Sequence, residues 1–422
     1  MRVGGLHPGC YCRPMPIDVR PIHDEQLAPW LDAMSTGFLE RPDVDKVAAE
    51  VRLNWDLTRS WAGFESGQIT GIWRSWETEI TVPGGKRLPG GAVSAVSVIP
   101  THRRRGILTA LVDAAHRAMR EGGEAMGLLY AAEYPIYGRF GYGPACREAT
   151  WTVETRGTRF VTHASGGVEL AKPDADASAA IKALFETWRL RQPGELRRRD
   201  YIWDYDLGRD TAWGSRWKGF LLFHRDAGGK LDGYARYHVE DKWERRQPLS
   251  NLVLDELHAL TDDAYAALWR SLAETDWAAT IKAEHRSPAE RLPWLMTNAR
   301  AASMSDVGDG MWIRLFDVPR ALAARTYDRE GSFVLEVVDR EAPDGRLRVL
   351  LEAGPAGATC AATDRSADLT LDIAALSAAY LGGTPLRHAV AASGVDEHRS
   401  GVLLKADALL RTLDEPWTST FF

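Results

Sequence analysis

At 422 residues the chain is longer than one hydrophobic core usually organises, so two or three domains are expected. Its 45% hydrophobic and 26% charged residues are ordinary for a globular protein and exclude a disordered or collagen-like chain. A formal net charge of -6 excludes the broad basic surface that a general nucleic-acid binder needs. The four cysteines, Cys10, Cys12, Cys146 and Cys360, are too scattered for a disulfide framework and lack metal-ligand spacing, so no metal is expected. The first dozen residues, with Cys10 and Cys12, read as a loose tail without the apolar core of a signal peptide. No other run approaches the ~20 apolar residues of a membrane span, so a cytoplasmic protein with no nucleic-acid or membrane partner is expected.

From Pro16 to about Thr155 helix and strand patterns alternate: a helix around Gln26 to Phe38, the strand "GIWRSWETEIT", then "GGAVSAVSVIP", which reads as a strand buried on both faces. Ile107, Leu111, Ala114 and Ala118 form one line of a helix, with Leu108, Val112, Ala115 and Met119 beside it. The next apolar run, "AMGLLYAA", is expected to lie parallel to the first strand as a right-handed β-α-β crossover. Between residues 156 and 305 a similar mixture recurs, with helices in "DASAAIKALFETWRLRQ" and "DDAYAALWRSLAETD" and strands in "KGFLLFHR" and "GYARYHVE". From Asp306 onward "GMWIRLFD", "GSFVLEVVD", "LRVLLEAG", "TCAAT" and "ADLTLDI" predict a run of antiparallel strands, with "ALSAAYLGG" a terminal helix capped by glycine.

The stretch "PTHRRRGIL" puts Arg103, Arg104, Arg105 and Gly106 at a strand-to-helix corner. The first amides of a helix lack internal partners and carry about half a positive charge, which suits a bound anion. Three guanidinium groups add to it, and glycine lets a ligand approach the backbone. Neither common phosphate-loop motif is present.

"VSVIPTHRRRGILTALVDAAHRAM" resembles the acyl-CoA-binding core of GNAT acetyltransferases, and together with "AAEYPIYGRFGYGPA" it resembles the Eis (enhanced intracellular survival) aminoglycoside N-acetyltransferases. The general motif [QR]-x-x-G-x-[GA] is met by Arg103 and Gly106 and departed from at Leu108, where leucine agrees with the Eis branch. The resemblance implies a mixed α/β (α+β) chain. A GNAT domain over 1–155 would be followed by a GNAT-like domain without the coenzyme corner over 156–305, and by a sterol-carrier-protein-like α+β domain over 306–422. It implies acetyl-CoA along Val96, Ser97 and Val98, the pyrophosphate on Arg103 to Thr109 (Arg103, Arg104, Arg105, Gly106, Ile107, Leu108, Thr109), and Ala132 and Glu133 at the thioester end. It also implies a homo-oligomer, a hexamer in that family.

Acetyl transfer from a thioester to an amine needs a neutral amine, an oxyanion donor and a group that steadies the departing thiolate, but no covalent nucleophile. By resemblance Tyr137, in "IYGRFGY", is the general acid and the α-carboxylate of Phe422, at the end of "EPWTSTFF", is the base. On reference values near 3.5 and 8 that carboxylate is a poor base for an ammonium, and burial beside aromatic rings narrows the gap. Glu40, in "STGFLERPD", matches loosely an acidic residue of the acceptor pocket; equally it caps a helix end. Five tryptophans between Trp30 and Trp76 offer core packing or cation-π walls. Phe421 stands where that family often has an acidic residue, which leaves the acceptor range open. The function so implied is acetyl-CoA-dependent N-acetyl transfer to aminoglycosides or similar polyamines. A protein or peptide lysine acceptor, or a non-catalytic lipid-binding or assembly protein on the same fold, are the competing readings.

Overall fold

The structure, a computed structural model, describes residues 17–41, 43–52, 54–161, 165–209, 217–391 and 393–422. Cys10 and Cys12 lie outside the described residues. The chain forms two compact units, Met1–Ser75 with Ala95–Ala118 and Trp76–Ser94 with Met119–Phe422.

The first unit holds β1 (Asp18–Pro21), α1 (Leu27–Phe38), α2 (Val44–Val51), β2 (Ser60–Glu65), the start of β3 (Gln68–Thr81), the end of β4 (Arg87–Val98) and most of α3 (Ile107–Glu121). β2 pairs antiparallel with both β1 and β3. Leu27, Trp30 and Leu31 of α1 are buried with Ala62 and Ile72 of the sheet, and the Trp30 indole donates to the Trp61 carbonyl at 2.9 Å. Each such apolar side chain contributes roughly 1.5–3 kcal/mol of transfer free energy. α3 lies close on β3 because residue 71 is glycine: a Cβ there would come within 2.6 Å of Ile107 Cγ2 and 3.0 Å of Leu111 Cδ1. The buried face of α3 comprises Ile107, Leu111, Val112, Ala115, His116 and Met119, whereas Leu108, Ala114 and Ala118 are only half-buried. His116 meets the Trp73 ring edge-on at 5.9 Å.

In the second unit β5 (Met126–Tyr130), α4 (Tyr134–Tyr137), β6 (Gly143–Pro144), β7 (Arg147–Glu154) and β8 (Gly167–Ala171) come first. Next are α5 (Ala175–Arg189), α6 (Asp200–Asp206), β9 (Phe220–Arg225), β10 (Leu231–Glu240), the hairpin β11 (Trp243–Glu244) and β12 (Gln247–Pro248), β13 (Ser250–Ala259), α7 (Asp262–Ala273), β14 (Ala278–Arg286), β15 (Ala302–Asp309) and β16 (Met311–Leu315). Last come α8 (Val318–Ala324), β17 (Gly331–Val338), β18 (Arg346–Gly354), β19 (Gly357–Ala362), β20 (Leu369–Asp372), α9 (Ile373–Ala379), α10 (Leu386–Ala389), β21 (Val395–Glu397) and α11 (Val402–Leu410).

β4 and β5 are parallel, from Gly90↔Met126 to Ala92↔Leu128, as the crossover pattern predicts. β16 continues this sheet beyond β5, and β6 follows it. A second sheet has the order β15-β7-β14-β13-β10-β9-β8, with the parallel pair β13 and β14 joined through α7. A third runs β19-β18-β17-β20-β21.

The structure corrects three sequence expectations. The strands beyond Asp306 are not one antiparallel run: β16 is an inner strand buried on both faces and takes partners in β5 and β6. β17 and β20 are parallel, because β18 and β19 fill one side of β17 and the chain must cross over to reach the other. "ALSAAYLGG" is not terminal; α9 ends at Ala379 and is followed by α10, β21 and α11. Finally, β4 is buried on both faces only over Gly90–Val93, while Ser94 to Val98 are half-buried. No helix of the described residues is long and apolar enough to cross a membrane.

Candidate active site

The arginine corner is shaped by backbone departures. Ala95 has a left-handed φ of 48° inside β4, which breaks the pleat there; the ladder to β5 has already stopped at Ala92. Arg104 and Gly106 have φ of 64° and 88°. A Cβ at Gly106 would meet nothing within 4 Å, so its φ and not crowding demands glycine, and the space beside it is open. The Ala110 amide donates to the Gly106 carbonyl at 3.0 Å, which leaves the amides of Ile107, Leu108 and Thr109 ahead of the first helical bond.

The three guanidinium groups diverge. Arg103 Nε donates to the Val98 carbonyl at 3.4 Å. Arg105 reaches Glu65 at 3.3 Å and the Thr101 carbonyl at 3.2 Å. Arg104 is exposed and has no hydrogen-bond or ion-pair partner among the described residues. One charge of the expected cluster is therefore already matched, although an exposed pair such as Arg105–Glu65 is worth only about 0–1 kcal/mol.

Glu40 follows α1, whose end is closed by the backbone: Leu39 is left-handed and the Glu40 amide donates to the Ser35 carbonyl at 2.8 Å. Its carboxylate is exposed, so of the two readings of Glu40 the helix end takes its N–H and not its side chain. α1 touches β4 at Gly37, where a Cβ would lie 2.2 Å from Ser97 Oγ. Of the tryptophans, Trp30 and Trp73 are core, and Trp55 is stacked under Arg74 at 3.9 Å.

In the second unit, Ala132 and Glu133 are exposed just past the end of β5 and lead into the one-turn helix α4, which carries Tyr137. Tyr137 is buried, its ring edge-on to Tyr142 at 6.0 Å. Its hydroxyl has no hydrogen-bond partner among the described residues. Burial, helped by the charge of Glu133, pushes its phenol up to about 12, so it remains protonated through the physiological range.

The end of the chain carries no helix or strand after α11, yet Trp417, Thr418 and Thr420 are buried. Phe422 is half-buried, its ring edge-on to Trp76 and to Tyr130, each at 5.2 Å. Tyr130 is the last residue of β5 and its hydroxyl donates to the Thr420 carbonyl at 3.0 Å; burial holds that phenol well above its ordinary value. Phe421 is 65% exposed, with its ring over Tyr130 at 4.7 Å. The chain end thus packs on the strand from which Ala132, Glu133 and Tyr137 follow.

Residues 18–145 match the family described as an acetyltransferase (GNAT) domain, residues 194–315 a second acetyltransferase (GNAT) domain, and residues 318–419 a sterol carrier protein domain. The chain is 36% identical over 375 residues to N-acetyltransferase Eis of Mycobacterium tuberculosis, covering 86% of this chain and 88% of that one. It is 38% identical over 424 residues to an uncharacterized N-acetyltransferase of Streptomyces griseus, covering 97% and 100%. The chain belongs to the Eis family of GNAT N-acetyltransferases.

The crystal structure of Eis1 from Mycobacterium abscessus matches with a TM-score of 0.83 and 31% identity over 96% of this chain and 100% of that one. A GCN5-related N-acetyltransferase from Anabaena variabilis, at 19% identity, shares the fold with a TM-score of 0.82 over 96% and 100%. The protein is accordingly an acyltransferase, built of two GNAT domains and a sterol-carrier-protein-like domain. GNAT acetyltransferases take acetyl-CoA as acyl donor, and the open space at Gly106 with the amides of Ile107, Leu108 and Thr109 ahead of the first helical bond fits a phosphate-bearing ligand. Sequence reasoning on this Eis-family chain missed Trp76 and Tyr130, which hold Phe422. Their signal was weak: one of five tryptophans, and an aromatic that closes an ordinary strand.

Proposed function

We propose that this protein transfers acetyl from acetyl-CoA to primary amines of aminoglycosides or similar polyamines, directly, in a ternary complex. The observation that carries the reading is the built-in chain end: Phe422 packs between Trp76 and Tyr130 instead of trailing in solvent. Val96, Ser97 and Val98, the corner from Arg103 to Thr109, and Ala132 and Glu133 would hold acetyl-CoA, which supplies the activated thioester. Glu40, exposed at the end of α1, is proposed as an acceptor contact. The domains are proposed to fall at 1–155, 156–305 and 306–422, with strands exchanged at both boundaries: β7 lies in the second sheet and β16 in the first. A cytoplasmic homo-oligomer, a hexamer by family resemblance, completes the proposal.

In this reading Tyr137 donates a hydrogen bond to the departing thiolate. With its phenol near 12 and a thiol near 8.5, complete proton transfer is uphill by about 5 kcal/mol, so a hydrogen bond that strengthens as the thiolate forms is the working role. The Phe422 carboxylate accepts the proton of the attacking amine. Phe421, 65% exposed, stands where the family often has an acid and leaves the acceptor range open, with lysine peptides as the competing acceptor.

The deciding experiment is thiol release from acetyl-CoA against a panel of aminoglycosides and lysine-containing peptides. Release with aminoglycosides and none with peptides supports the proposal; the reverse selects the lysine reading, and no release with either removes both. At the corner, Arg104→Ala raises KM for acetyl-CoA about 10-fold, the loss of one charge-assisted contact, while Arg105→Ala, already paired with Glu65, raises it less than about 3-fold. Initial rates at varied acetyl-CoA measure both.

A further inference from the structure

Three successive residues of the tail, Thr418, Ser419 and Thr420, converge on one buried carboxylate in the segment between α5 and α6. Glu195 is fully buried. Its Oε1 accepts from Thr418 Oγ1 at 2.9 Å and Thr420 Oγ1 at 2.7 Å, and its Oε2 from the Ser419 amide and Oγ, both at 2.8 Å. The remaining donor is the Leu196 amide at 2.9 Å. Arg198, also buried, donates from Nε to Thr420 Oγ1 at 3.0 Å and from Nη2 to Ser419 Oγ at 2.9 Å. Its own charge is met by Glu256 at 2.5 Å and Asp206 at 3.4 Å. Among the described residues no direct ion pair joins Glu195 to Arg198; the tail hydroxyls stand between the two.

We infer that Glu195 and Arg198, acting through the hydroxyls of Thr418, Ser419 and Thr420, are positioning residues that fix the register of the C-terminus and so the place of the Phe422 carboxylate. A buried carboxylate that loses its donors is costly, and here four of five come from the tail. Tail and carboxylate therefore hold each other. Slippage by one residue would offer phenylalanine where a hydroxyl is required. Thr420 is fixed at its amide by Thr418 Oγ1 (3.1 Å), at its carbonyl by Tyr130 and at its hydroxyl by Glu195 and Arg198, two residues before the terminus. This inference rests on the proposed role of that terminus, and its test separates the two.

The full-length chain is compared with Thr420→Val, Thr420→Ser and Glu195→Gln, reading the release of the terminal phenylalanine by a carboxypeptidase alongside kcat and KM. Thr420→Val and Glu195→Gln are expected to speed release at least about 10-fold and lower kcat by about as much, with KM for acetyl-CoA within about 2-fold. Thr420→Ser, which keeps the hydroxyl, restores both. The Thr420 pair carries the test even where the Glu195→Gln chain does not fold. Release unchanged from wild type in Thr420→Val overturns the latch, whatever happens to the rate. Faster release with kcat unchanged upholds the latch's grip and overturns the terminal carboxylate as base.

Discussion

Deleting Phe422, or adding one alanine after it, lowers kcat at least about 100-fold, the lower end of what a positioned general base contributes. The two variants err in different ways. Deletion removes the ring that packs on Trp76 and Tyr130 and moves the carboxylate to Phe421, which is mostly exposed. Extension keeps the ring and moves the carboxylate away by one residue, about 3.5 Å. Phe422→Ala keeps a carboxylate at the right position and loses only the anchor, so its rate falls between wild type and the deletion. In all three the hydroxyl contacts of residues 418–420 remain, and acetyl-CoA binding, followed by thermal shift, is retained. Wild-type turnover in the extended chain would end the assignment of the terminus as base.

Tyr137→Phe lowers kcat about 100-fold with KM for acetyl-CoA within about 3-fold, since the lost hydroxyl acts on charge that appears only as the thiolate leaves. The hydroxyl has no internal partner among the described residues, so its removal orphans no protein group, and the melting temperature stays close to that of wild type. In the proposed mechanism the neutral phenol is the active form. Burial and Glu133 raise its value to about 12, so the wild-type rate is expected to hold through pH 10 and decline only as pH approaches 12. An ordinary phenol would start to lose activity near pH 10. A kcat–pH profile for wild type beside Tyr137→Phe measures this; equal rates for the two chains would remove Tyr137 from the mechanism.

The strand–arginine–helix corner was legible because its signals are local. A valine-rich run ended by Pro100, a charged turn and a 3.6-residue apolar period fix β4, the corner and α3 within some 35 residues, and the parallel pairing of β5 follows from the crossover rule. Tyr137 and Phe422 were proposed as acid and base on family resemblance and not on such local signals. Less was legible where partners are distant along the chain. That Arg105 is spent on Glu65 depends on a strand forty residues upstream. The assignment of β16 to the first sheet depends on its lying between β5 and β6.

The sequence alone determined which residues are proposed to carry the chemistry: side-chain type, local period and motif spacing are written along the chain. Only the tertiary structure decided what those residues are held by. Glu195 meets Thr418, Ser419 and Thr420 across more than 220 positions, and Trp76 meets Phe422 across still more. Burial makes such contacts strong, because a charge taken out of water must find its donors within the protein, and folding chooses those donors by proximity in space and not by order in the chain.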